Sequence, residues 1–208
     1  MRLRRLPPAI LAAVLVLGAG PVYSESQHER VWNRFAEQVF SLHERQLAGR
    51  EIQERSRIDG YAGRPEFYRE VEYTDADSGA LLSRIRWVRE RPGTIDVIEV
   101  FVRDRQGRVV RDYTVAWLPD YRNAPSQTLI SLHDYNGGLH AFRTFDASGE
   151  RLHERCQGEY QGESVYLEVD QDMFYDARLD PGPIFESEAY RRCFGELPSS
   201  VEGFLPPR

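Results

Sequence analysis

Apolar and polar residues alternate along this chain with two different periods, and the switch between them divides it. Val31, Trp32, Phe35, Val39, Leu42 and Leu47 recur at helical spacing, with Arg30, Arg34, Glu37, Glu44 and Arg45 at the other positions. That is the stripe of an amphipathic helix. Ser26 followed three residues later by Glu29 is a capping box, which satisfies backbone N–H groups that a helix start leaves unpaired. The helix is predicted over 27–48, with Gly49 as its stop. Its stripe carries Trp32 and Phe35, with Phe40 alongside, so the helix must dock on a second layer.

From residue 51 the period becomes two. Segments 67–74, 80–90, 94–103, 108–118, 139–145, 151–157 and 164–170 are rich in Val, Ile, Tyr, Phe and Trp and read as strands. In 108–118, Val109, Tyr113, Val115 and Trp117 share one face, interrupted by Arg111. Val110, Asp112, Thr114 and Ala116 share the other. One buried face and one mixed face is the pattern of an antiparallel sheet with a wet side. Segment 50–58 is either a first strand or a charged connection, and 128–135 is either a strand or a short helix. Three connections, 75–79, 104–107 and 146–149, open with Asp and close with Gly. Asp bonds nearby backbone N–H groups and Gly supplies a positive φ, so these are hairpin turns and the strands follow one another as a meander.

The expected fold class is therefore α+β. An N-terminal amphipathic helix packs on a curved antiparallel β-meander of about seven strands, in one domain over 25–208. Residues 171–208 contain five prolines and read as an irregular C-terminal extension, with one short helix near 186–193 and a docked or frayed end.

The first 24 residues stand apart from both periods. Arg2, Arg4 and Arg5 precede an apolar run from Ala9 to Ala19, and Val22 and Ser24 suit a cleavage site. This reads as a secretory signal peptide that is removed. The apolar run of about 11 residues is shorter than the roughly 20 a membrane-spanning helix needs, so no stable membrane insertion is expected after cleavage. Without residues 1–24, 24 basic residues face 33 acidic ones, a net charge of −9. An acidic protein repels phosphates, which argues against a nucleic-acid partner.

All basic residues are arginine. A chain without lysine builds no Schiff base and no Gly-Lys-Ser/Thr phosphate loop. No cofactor is called for. Cys156 and Cys193 are the two cysteines, and export makes them a disulfide. Closing a loop of about 38 residues is worth roughly 4 kcal/mol in the chain-entropy model. The bridge would pin the C-terminal segment to the body.

Candidate chemistry concentrates in His133-Asp134-Tyr135-Asn136-Gly137-Gly138-Leu139-His140. A Gly-Gly turn between two histidines can present a polar site on a sheet. His133 and His140, joined by His153, are the types of residue that ligate zinc or copper. His133, Asp134 and His140 alternatively make a His–Asp acid–base site. His140 and His153 are placed to lie across one hairpin. Arg84, Arg86 and Arg89 sit close to Glu70 and Glu72 on a neighbouring strand and read as cross-strand ion pairs.

Two functions are compatible with these features. The first is an exported, soluble periplasmic protein without enzymatic activity that binds a protein partner or a small apolar ligand in the helix-on-sheet build. The second is a metal-dependent or His/Asp-based hydrolase centred on the His133–His140 turn.

Overall fold

The computed structural model describes residues 26–120, 122–175 and 182–202, and the leader read over 1–24 lies outside them. Helix α1 spans Gln27–Leu47. Nine strands follow: β1 Ile52–Tyr61, β2 Arg64–Asp75, β3 Leu81–Val88, β4 Ile95–Arg103, β5 Val109–Ala116, β6 Gln127–Asn136, β7 Leu139–Asp146, β8 Arg151–Tyr160 and β9 Glu163–Asp170. Three short helices close the described chain: α2 Gln171–Tyr175, α3 Gly182–Phe185 and α4 Glu188–Phe194. The strands form one antiparallel sheet in sequence order, β1 to β9, open at both edges.

The strand count is nine, not about seven, and the difference lies in the two undecided segments. Residues 52–61 form β1, although its side chains are almost all exposed. It is an edge strand, so it carries charge where an inner strand carries apolar residues. Segment 127–136 is the inner strand β6, paired to β5 and β7 along its length. Leu129, Ser131 and Leu132 are buried or half-buried there, so apolar residues follow one another without clean alternation. The C-terminal extension is also more regular than expected, with three helical turns where one was read.

Local chemistry explains the framework. Ser26 Oγ accepts from the Glu29 backbone N–H at 3.2 Å, and Glu29 accepts from the Ser26 N–H at 2.7 Å. Gly49 ends the helix at φ +74°. In the β4–β5 turn Asp104 Oδ1 accepts from the N–H groups of Gln106 and Arg108 at 2.9 and 3.0 Å. Asp146 does the same between β7 and β8, for Ser148 and Glu150, both at 2.8 Å. Asp75 receives Asp77 and Ser78 in the β2–β3 turn.

One face of the sheet is covered twice. Helix α1 lies across β3 to β6 and buries Phe35, Ala36, Val39 and Leu42 against Ile85, Ile98, Val100, Tyr113 and Ile130. Val31, read as part of the stripe, is exposed instead. His43 is also buried, with Nδ1 2.7 Å from Ser83 Oγ, and burial pulls its pKa below the usual histidine value. The second cover is the C-terminal segment, which packs on β6 and β7 through α4. Cys156 on β8 is bonded to Cys193 on α4. Leu197 and Val201 are buried, so the chain end docks at least to Val201, while 203–208 lie outside the described residues.

A buried ion pair sits under this second cover. Arg143 on β7 and Glu154 on β8 are directly opposed and hydrogen-bonded, with side chains 5% and 0% exposed. Arg143 Nη1 also donates to the carbonyls of Leu197 and Pro198 at 3.0 and 2.8 Å. Tyr190 Oη donates to Glu154 Oε2 at 2.6 Å, and burial together with that carboxylate pushes its hydroxyl up to about 12. Every charge under the cover is thus answered by a partner from strand or C-terminal segment. Removing one partner of a buried pair strands the other charge, at a cost of about 3–5 kcal/mol. Urea unfolding of Glu154→Ala should therefore show a loss of about that size. A loss below ~1 kcal/mol would mean that the pair does not hold the cover down.

Candidate functional site

Strand alternation sorts the predicted histidines. In β6, Ile130 and Leu132 turn toward the covered face, so His133 turns to the opposite, outer face. His140 does so from β7, two register steps from the residue opposite His133. The rings meet: His133 Nδ1 is 2.9 Å from His140 Nε2. Their centroids are 5.2 Å apart and their planes differ by 14°, so the rings lie nearly edge to edge with the two nitrogens between them. His133 Nε2 lies 2.6 Å from Asp112 Oδ2 on β5. Tyr135 stacks on the other side of His140, centroids 4.5 Å apart and planes 3° apart, and its hydroxyl donates to the Val109 carbonyl.

The protons follow from this geometry. The Asp112 carboxylate accepts from His133 Nε2–H, which leaves the lone pair of neutral His133 on Nδ1. His140 Nε2–H then donates to that lone pair. The result is a three-member hydrogen-bonded chain, Asp112–His133–His140. Burial, then His133 and Arg155, hold the His140 pKa below the usual histidine value. The two facing nitrogens share a proton and leave no gap for an ion, since each zinc–nitrogen bond needs roughly 2.0–2.1 Å.

Two expected members are elsewhere. Asp134, next in sequence to His133, points to the opposite face by strand alternation, and Asp112 from the neighbouring strand is the carboxylate that His133 meets. His153 is opposite Thr144, not His140, whose partner is Gln157. It pairs instead with Glu168 on β9 at 2.9 Å. The Phe142 ring stands between, 5.5 Å from both His133 and His153. Among the described residues, no group of three or more His, Cys, Asp or Glu side chains is placed to hold a metal ion. Nor, among them, does a hydroxyl or thiol hydrogen-bond to either ring of the pair.

The expected ion pairs are present on the same outer face, with one change of partner. Arg84 reaches Glu72 at 3.0 Å and Glu99 at 3.1 Å. Arg86 and Arg57 flank the buried Glu70 at 2.8 and 2.7 Å. Burial opposes ionisation of Glu70, yet Arg86 and Arg57 hold its carboxyl below the usual range. Arg89, just past β3, pairs instead with Glu66 near the start of β2.

A second feature lies on the covered face, beside α1. A hollow of about 550 Å³ opens between α1 and the sheet, lined by Ala36, Phe40, Ile95 and Trp117. A second, of about 440 Å³, is lined by Ile58, Trp87, Val88 and Pro92. Trp87 on β3 and Ile95 on β4 are cross-strand partners, which sets the two hollows on neighbouring strands. Phe40, Trp87, Ile95 and Trp117 pack on the core yet stay partly exposed, and Ile58 is 56% exposed. Strand patterning marks these residues as core. Their joint exposure depends on the angle at which α1 crosses the sheet, which no local pattern encodes. Arg30 and Arg34 on α1, Arg69 on β2 and Arg89 just past β3 also line these hollows.

Comparison with protein-family models, curated proteins and solved structures finds no significant match. Among the described residues no helix is long and apolar enough to cross a membrane.

The histidine chain is open to direct test. In an NMR titration of ring protons, His140 should titrate below the ordinary value of 6.5. Replacing its neighbour (His133→Gln) should move that midpoint upward, because one of its depressing influences is gone. An unchanged or lower midpoint would show that the rings are not coupled.

Proposed function

We propose that this protein is an exported binding protein whose groove on the covered face, beside α1 and over Trp117, Ile95 and Trp87, takes an apolar ligand. The observation that carries this reading is the pair of hollows, on neighbouring strands, lined by Phe40, Trp87, Ile95 and Trp117. Contiguous apolar surface left open on a folded domain marks an interaction site. Volumes of this order suit a small ligand, and ligand sites are mostly apolar with a few polar groups at fixed positions. Each methylene transferred from water to such a surface contributes about 0.8 kcal/mol before the costs of association.

Export is supported by the charged and apolar leader of residues 1–24 and by the Cys156–Cys193 bridge, a cross-link that persists in oxidising compartments. The hydrolase reading has the Asp112–His133–His140 chain in its favour. That chain supplies a base and its orienting carboxylate but sits on the outer face, away from the groove, with no bonded nucleophile among the described residues.

The binding reading is tested with the neutral apolar fluorophore N-phenyl-1-naphthylamine. Its emission should rise saturably with one site per chain, and Trp117→Ala should weaken binding at least about fivefold, close to the loss of one aromatic contact. Linear, unsaturable uptake, or an unchanged affinity in that variant, would contradict the reading.

A further inference from the structure

The groove also has a charge. Its apolar floor is bordered by Arg30 and Arg34 at the α1 side and by Arg69 and Arg89 at the strand side, against the single acid Glu37. The chain as a whole is acidic, with 33 acids and 27 bases, so this border runs against the average. On the outer face Arg57, Arg84 and Arg86 are each held by glutamates, and Arg89 pairs with Glu66. Arg34 and Arg69, both exposed, have no ion-pair partner among the described residues, as is also true of Arg55 and Arg155 on the outer face; what sets the first two apart is that they border apolar hollows. One lines each hollow.

A guanidinium presents five donors in a planar fork that fits a carboxylate or phosphate oxygen pair. Placed beside apolar surface, it also lays its methylene stem along that surface and keeps its charge at the edge. The combination selects a molecule with a chain for the floor and a negative group for the border. We propose that the groove binds a single-chain amphiphile with an anionic head, such as a long-chain carboxylate; this rests on the apolar-groove reading above and adds the sign of the head. The chain lies over Phe40, Trp87, Ile95 and Trp117, and the head is taken by Arg34 or Arg69. A cationic head of the same length meets repulsion at both ends, so discrimination comes from unfavourable contacts as well as favourable ones.

The test uses displacement of N-phenyl-1-naphthylamine by three twelve-carbon chains below their micelle concentrations: dodecanoate, dodecyl maltoside and dodecyltrimethylammonium. Dodecanoate should bind at least about tenfold more tightly than the cationic chain. Its affinity should fall as salt rises, as screening requires for exposed charges. In the double variant Arg34→Gln, Arg69→Gln the advantage of dodecanoate should collapse, while affinity for the neutral fluorophore stays within about twofold. Both side chains are exposed, so the fold should tolerate the change, and the retained fluorophore site reports that it has. Equal affinities for the three chains, or a double variant with the selectivity intact, would overturn the anionic assignment and leave the apolar groove standing. Failure of every probe, the fluorophore included, would overturn both.

Discussion

The structure depends on covering one face of an open sheet. Among the described residues, nine strands in sequence order make a sheet with two free edges and no second sheet to pack against. Its apolar face must be hidden by whatever the rest of the chain supplies. Helix α1 hides the middle of it and the C-terminal segment hides the β6–β8 end. The second cover is the weaker by itself, because its helices are four to seven residues long. Isolated helices that short are not stable in water. It is held by two unlike devices: the Cys156–Cys193 bond and the buried Arg143–Glu154 pair, which reaches across to the Leu197 and Pro198 carbonyls. The bond restricts the unfolded chain, whereas the ion pair penalises any folded arrangement in which the cover lifts and strands a charge.

Two covers do not tile the face. Beside α1, Trp87, Ile95 and Trp117 stay partly exposed, and the groove is what remains. This accounts for the division of labour between faces. The outer face pairs many of its charges across strands, through Glu70, Glu72 and Glu99 with their arginines and through Asp112 with the histidine pair. The groove side leaves Arg34 and Arg69 unanswered within the described residues. What the groove side adds is apolar surface and charge left open side by side.

Much of this was legible in the residues, and the limits have physical causes. Helix α1 was readable to within a residue, because its capping box and its 3.6-residue stripe agree. The three Asp-to-Gly turns were readable because their chemistry is local. The disulfide followed from counting. Strand β1 was ambiguous because an edge strand has no buried face to create alternation, and β6 because Leu129, Ile130, Ser131 and Leu132 put buried or half-buried residues on both faces in succession. The site was half legible. That His133 and His140 meet follows from a hairpin turn, but that Asp112 completes them depends on the β5–β6 register, some twenty residues away in sequence. Asp134 was the wrong carboxylate for the simplest reason: neighbours in a strand face opposite ways. The groove depends on the crossing of α1 over the sheet and left no local trace.

The most direct test of the account is where an apolar chain lands. The three tryptophan indole N–H signals report on three places: Trp87 and Trp117 line the groove, while Trp32 lies by Ser148 at the β7–β8 turn. In ¹H–¹⁵N spectra of the protein titrated with dodecanoate, the account predicts that the Trp87 and Trp117 indole signals shift together and saturate while Trp32 stays in place. Shifts confined to Trp32, or to the His133 and His140 rings, would contradict it.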